Sequence, residues 1–268
     1  MRYQVWAFVR SLLIATMTLV AVIVVGSVGS GLLNQPAANA QLSQVSRQIP
    51  VFRRPVSPPR SQPSAANQPF MTLSPGRGSY TPAEEYAPAD PTNFGDRFIT
   101  DAFGMPTYQA PIVVIHETVS SANSALNYFR TPHPRDADQR SYHALIRRNG
   151  TVVYIVPPER RAFGAGNSVF DGPNGIETVT TNPLFPPSVN NFAYHISLES
   201  PTDGRGNQSR HSGYTTVQYQ SLAWLIARTG VPQDRITTHR AVDRSGSRRD
   251  PRSFDTQRFA AALQDLAA

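Results

Sequence analysis

The chain has 268 residues, a net charge of +7 and no cysteine, and all 25 of its basic residues are arginine. That length holds one ordinary domain with appendages, or two small domains. The absence of cysteine excludes disulfides, a thiolate nucleophile and thiolate metal ligands. The arginines are scattered without interleaved aromatic residues, which argues against a nucleic-acid partner.

Residues 1–40 read as an export signal. A basic start (MRYQVWAFVR) leads into a long apolar run, and Ala38-Asn39-Ala40 offers small residues where cleavage after Ala40 would need them. The run is long for a secretory signal, so the same segment left uncleaved would act as a membrane anchor, the only membrane contact expected. Either way the protein is expected to be exported, to the periplasm or cell envelope. Residues 41–100 hold ten of the chain's 24 prolines among Ser, Gln and Arg, with few spaced apolar residues. This composition predicts a disordered linker.

Residues 101–268 predict a single α/β domain, a central mixed β-sheet flanked by helices. PIVVIHE at 111–117 is a buried strand ending in a histidine, and SANSALNYF is the first helix. YHALIRRNGTVVYIV gives two strands about Asn149-Gly150, a dipeptide suited to a tight hairpin turn. Residues 164–190 have loop composition. FAYHISLE at 192–199 is a strand with Phe192, Tyr194, Ile196 and Leu198 on an apolar face and Ala193, His195, Ser197 and Glu199 on a polar one. In TTVQYQSLAWLIARTG, Tyr219, Leu222, Ala223 and Ile226 line one side of a helix closed by Gly230. RITTH is a short strand, and a last helix capped by Asp255 turns Phe259, Leu263 and Leu266 to one side.

His116 and His239 are each at the C-terminal end of a strand, the edge of an open α/β sheet where ligands bind. They can therefore converge although 123 residues apart in sequence. Asp250, eleven residues after His239, adds an oxygen and has its backbone restricted by Pro251. Two nitrogens and one oxygen are the protein ligands of a catalytic zinc, leaving a fourth position for water. The alternative from spacing alone is an ion-paired surface loop. An H-E-x-x-H zinc helix starting at His116 fails, because position 120 is Ser.

The ordered set VVIHET, SYHALIRRNGTVVYIVP, FGAGNS, NFAYHISLE and THRAVDRSGSRRDPRSFD resembles the zinc-dependent N-acetylmuramoyl-L-alanine amidases of the phage-lysozyme and peptidoglycan recognition protein type, over roughly residues 111–258. The resemblance implies that type's single catalytic domain, Zn2+ on His116, His239 and Asp250, and Glu199, Tyr142 and Arg248 around it. The partner it implies is peptidoglycan or a muropeptide, and a monomer is expected. Three departures stand out: Phe163-Gly164 where the family often has Trp-His, Arg248 where lysine is usual, and His195-Ile196-Ser197 where many members have Ser-Ile-Gly.

On this reading Glu199 is the acid/base, taking a proton from the attacking water and returning one to the leaving amine. Tyr142 steadies the oxyanion, and Arg248 donates to the oxyanion or to a substrate carboxylate. His195 lies ~13 Å along the strand from Glu199, too far for both to touch one metal, and is read as groove-lining or structural. His143 is assigned to structure; His133 and His211 are read as exposed. The implied reaction is hydrolysis of the amide between N-acetylmuramic acid and L-alanine. A recognition module that binds without cutting and an exported zinc peptidase acting within the stem peptide are the alternatives.

Overall fold

The protein's computed structural model describes residues 70–71, 73–74 and 80–267. The export segment and the first part of the linker lie outside the described residues. Six strands form one mixed sheet in the order β1 (Glu84–Tyr86), β5 (Val152–Tyr154), β4 (Ala144–Ile146), β9 (Ala193–Leu198), β3 (Ile112–Glu117) and β10 (Ile236–Thr238). All neighbours run parallel except the β4–β5 hairpin. Gly150 closes that hairpin with φ +86°, a conformation that costs a glycine little.

One face of the sheet packs on helix α2 (Thr216–Thr229) and helix α4 (Thr256–Ala267), burying Tyr194, Ile196 and Leu198 against Leu222, Leu225 and Ile226. Each such side chain contributes about 1.5–3 kcal/mol of burial free energy. Thr215 and Gln218 form a capping box at the start of α2, and Gly230 in the left-handed region ends it. The other face carries helix α1 (Ala122–Arg130) at one end and a second apolar cluster about Ile112, Val114, Phe170 and Phe192 at the other.

Two boundaries differ from those the sequence predicts. Residues 80–100, assigned to the linker, belong to the folded unit. β1 completes the sheet on β5, and β2 (Phe94–Asp96) pairs with β6 (Arg160–Ala162). The three side chains of β1 are exposed, and the strand is held by backbone pairing together with surface contacts of Glu84 to Arg228, Glu85 to Arg147 and Tyr86 to Tyr154, so it leaves little apolar trace in the sequence. The stretch 164–190 is also more than loop. It holds a hairpin of β7 (Phe170–Gly172) and β8 (Gly175–Glu177), and its Ala165, Val179 and Val189 cover the sheet.

The central position of β9 changes the reading of its polar face. All six of its residues are buried, so His195 and Ser197 point into the interior between the two clusters of the second face instead of into solvent. Phe192 precedes the strand and packs on that same second face.

Candidate metal centre

Three neighbouring backbone segments build the centre. His116 is the fifth residue of β3, and its Cα partner on β9 is Ser197. β10 runs parallel beside β3 and gives way directly to a short helix, α3 (His239–Val242), so His239 is delivered to the same sheet edge. The backbone carbonyl of Asp250 accepts from Arg240 at 2.8 Å, which returns the loop after α3 to His239.

Asp250 Oδ2 lies 3.0 Å from His239 Nδ1 and 3.4 Å from His116 Nδ1. One ligand atom from each of the three residues falls within 4.8 Å of the others, and all three residues are buried. Burial, and next the nearby His239, push the His116 imidazole down to about 4, so the ring is neutral at pH 7. Burial would raise the Asp250 carboxyl, but the two imidazoles beside it, His239 in hydrogen-bond contact at 3.0 Å and His116 at 3.4 Å, outweigh it and hold the group ionised. His116 Nδ1 is buried and has no hydrogen-bond partner. Two imidazole nitrogens and a carboxylate brought this close fit the donor set of a catalytic zinc.

Tyr142 packs its ring 4.6 Å from that of His116 and edge-on to Phe129. Burial raises its phenol, keeping it a neutral hydrogen-bond donor. Arg248 is exposed at the rim, fixed through its backbone N–H to Asp243 Oδ2 at 3.2 Å. Tyr142, His239, Arg248 and Asp250 line a groove of about 1190 Å³, whose other walls include Arg140 and Arg161.

Glu199 is not at the centre. Its Oε1 accepts from the backbone N–H of Ala122 and its Oε2 from that of Arg148, both at 3.0 Å. The expected acid/base role came from the family resemblance, which placed Glu199 beside the metal, but β9 ends at Leu198. One residue later the carboxylate meets the N-terminus of α1, whose unpaired N–H groups and positive dipole end attract it.

Sequence reasoning missed two residues here. His195 Nδ1 lies 2.9 Å from His116 Nε2. Glu117, next to His116, is fully buried and accepts from Arg252, Ser200 and His211. His211 is therefore a buried partner and not the exposed loop histidine expected. His133 is likewise half-buried, stacked 4.1 Å over Tyr128. His143 is structural as expected, buried beside Tyr194. A buried glutamate flanked in sequence by a ligand was a readable signal for Glu117, since such a charge needs a cation.

Among curated proteins, the 1,6-anhydro-N-acetylmuramyl-L-alanine amidase AmpD of Salmonella typhimurium is 32% identical over 127 residues, 46% of this chain and 57% of that protein. The chain thus spans little more than half the length of the curated relatives it matches. Among solved structures, a selenomethionine derivative of AmpD aligns with 69% of this chain and 96% of its own, at 24% identity and a TM-score of 0.47. The E. coli amidase AmiD, in complex with anhydro-N-acetylmuramic acid-L-Ala-D-gamma-Glu-L-Lys, aligns with 59% of this chain and 61% of its own, at 23% identity and a TM-score of 0.43. Residues 106–253 match the family model described as N-acetylmuramoyl-L-alanine amidase. That match takes in more than half of the sequence and all three residues of the centre, and the chain belongs to the N-acetylmuramoyl-L-alanine amidase family.

Proposed function

We propose that the protein is a zinc-dependent peptidoglycan hydrolase that cleaves the amide between the lactyl group of N-acetylmuramic acid and the L-alanine of the stem peptide. The observation that carries this reading is the convergence of His116, His239 and Asp250 within 4.8 Å, with His239 and Asp250 in the wall of a groove, in a chain of this family. His116 Nδ1, a nitrogen of His239 and a carboxylate oxygen of Asp250 would hold the zinc. Bound there, zinc supplies Lewis acidity to the scissile carbonyl and lowers the pKa of water toward about 7.

The chain's own groups do the rest. The neutral Tyr142 phenol beside His116 is a donor for the negative charge that grows on the carbonyl oxygen as the amide is attacked. Arg248 offers a fixed positive charge at the rim, and Arg140 and Arg161 give the groove a surface for the carboxylates of an acidic peptide. Glu199 has no part in the proton transfer, because both its oxygens accept backbone N–H groups elsewhere. An N-terminal export segment would bring the domain to its substrate in the cell envelope.

Mass spectrometry of purified peptidoglycan, and of a soluble 1,6-anhydro-muropeptide, after incubation with the full chain tests the reading. Intact stem peptides released from glycan support it. Peptides cut internally would make the protein a peptidase, and binding without products would make it a recognition module.

A further inference from the structure

The imidazole of His195 is fully buried and lies against the back of a proposed metal ligand. Its Nδ1 is 2.9 Å from His116 Nε2, on the side of the His116 ring away from Asp250, with ring centroids 5.0 Å apart. A metal on His116 Nδ1 requires that nitrogen to be bare, which puts the ring proton on Nε2. That N–H then meets His195 Nδ1, which places the His195 proton on Nε2, a buried nitrogen with no hydrogen-bond partner among the described residues.

The His195 ring is itself held in place. Its backbone N–H donates to His143 Nδ1 at 2.9 Å, and the two rings stack 12° from parallel. His143 Nε2 in turn lies 3.1 Å from the Arg160 carbonyl and 3.0 Å from Arg97 Nη2, which anchors the ring that His195 stacks on. On another side the ring lies directly on Gly164. A Cβ at that position would stand 2.6 Å from His195 Cγ and Nδ1, a distance no packed atom tolerates. Gly164 is there for space, since its φ is not in the left-handed region.

We infer that His195 is a positioning residue for the metal centre: it accepts the Nε2 proton of His116, fixing the tautomer and ring plane that aim Nδ1 at the metal, and Gly164 makes the room for it. Metal-bound histidines commonly give their second nitrogen's proton to a carboxylate, a carbonyl or water. Here an imidazole on the next strand takes that part, and positions 164 and 195, both noted as departures from the family pattern, act as one pair.

The inference rests on the metal-site part of the proposed function and not on the substrate. It is tested on the full chain by Zn2+ affinity in competition with a chromophoric chelator, and by the visible spectrum of the Co2+ form. His195→Leu removes the acceptor and should weaken Zn2+ binding about 10–100-fold and alter the Co2+ spectrum. His195→Asn keeps an oxygen acceptor near the Nδ1 position and should recover most of that loss. Gly164→Ala should push the ring off His116 and weaken Zn2+ about 10-fold. Should His195→Leu fail to fold by circular dichroism, Gly164→Ala carries the test.

A merely structural role would lower thermal stability and leave affinity and spectrum unmoved; parental affinity in His195→Leu, or in Gly164→Ala where the first does not fold, overturns the inference. Parent protein that binds no Zn2+ overturns it together with the metal part of the proposed function. Parent protein that binds Zn2+ and releases no stem peptide defeats the amidase reading alone.

Discussion

Glu117 and Arg252 form a buried ion pair, Oε1 2.6 Å from Nε and Oε2 3.1 Å from Nη2, and it ties together the two chain segments that carry His116 and Asp250. Glu117 follows one ligand and Arg252 lies two residues beyond the other. The guanidinium also donates to the carbonyls of Gly204, Gly206 and Gln208, pinning the loop after β9. Removing one partner of such a pair leaves a buried charge, at a cost of about 3–5 kcal/mol. Arg252→Met should therefore lower unfolding free energy by roughly that amount in urea titrations. A loss within about 0.5 kcal/mol, the range of ordinary surface changes, would show the pair to be unimportant.

The position of Glu199 separates stability from catalysis. Glu199→Ala unpairs the N–H groups of Ala122 and Arg148 and should cost about 1–3 kcal/mol of stability while hydrolysis at saturating substrate stays within a few-fold of parent. A general base at this position would behave oppositely, losing about 10²–10⁴-fold in rate with little change in stability.

Tyr142 should act on the rate more than on binding. Tyr142→Phe keeps the ring against His116 and removes the donor. Expected is a fall in kcat of about 10²-fold with KM little changed. An unchanged kcat would leave the tyrosine a packing residue.

Acid should weaken the metal-free protein. His116, His143 and His195 are fully buried, and burial is the main reason each is held neutral; His116 is lowered to about 4. In the unfolded chain the same rings take up protons near pH 6.5. Their contribution to stability is full above that pH and declines as pH falls, by up to about 1.4 kcal/mol per pH unit for each ring. Asp250, whose pKa is depressed, adds its own loss only below the ordinary carboxylate range. Thermal melts of chelator-treated protein should show Tm falling steadily from pH 7 to 5.5; a flat profile would mean these rings charge freely in the fold.

Much of the fold was legible because its central parts obey simple periods. The apolar run 111–117, the hairpin about Asn149-Gly150 and the amphipathic helix closed by Gly230 all formed as read, with shorter strand boundaries. Strand ends and spacing left His116, His239 and Asp250 as either a metal site or an ion-paired loop, and the family resemblance chose the metal site; in the structure the three meet. The short edge strand β1 escaped because its side chains are exposed and polar contacts and backbone pairing hold it, which leaves no apolar pattern. The role of Glu199 was carried over from the resemblance, and the backbone N–H groups of Ala122 and Arg148 that take its carboxylate one residue past the end of β9 leave no trace in the local sequence. The partners of the centre, His195 and Glu117, depend on which side chains a buried strand meets across the sheet, and local sequence does not encode that neighbourhood.

The most direct test pairs metal content with turnover of purified peptidoglycan for the parent protein and for Asp250→Ala. The parent should carry about one zinc per chain and release stem peptides, and the variant should lose both together while remaining folded. Full hydrolysis by metal-free Asp250→Ala would contradict the assignment of the centre at its root.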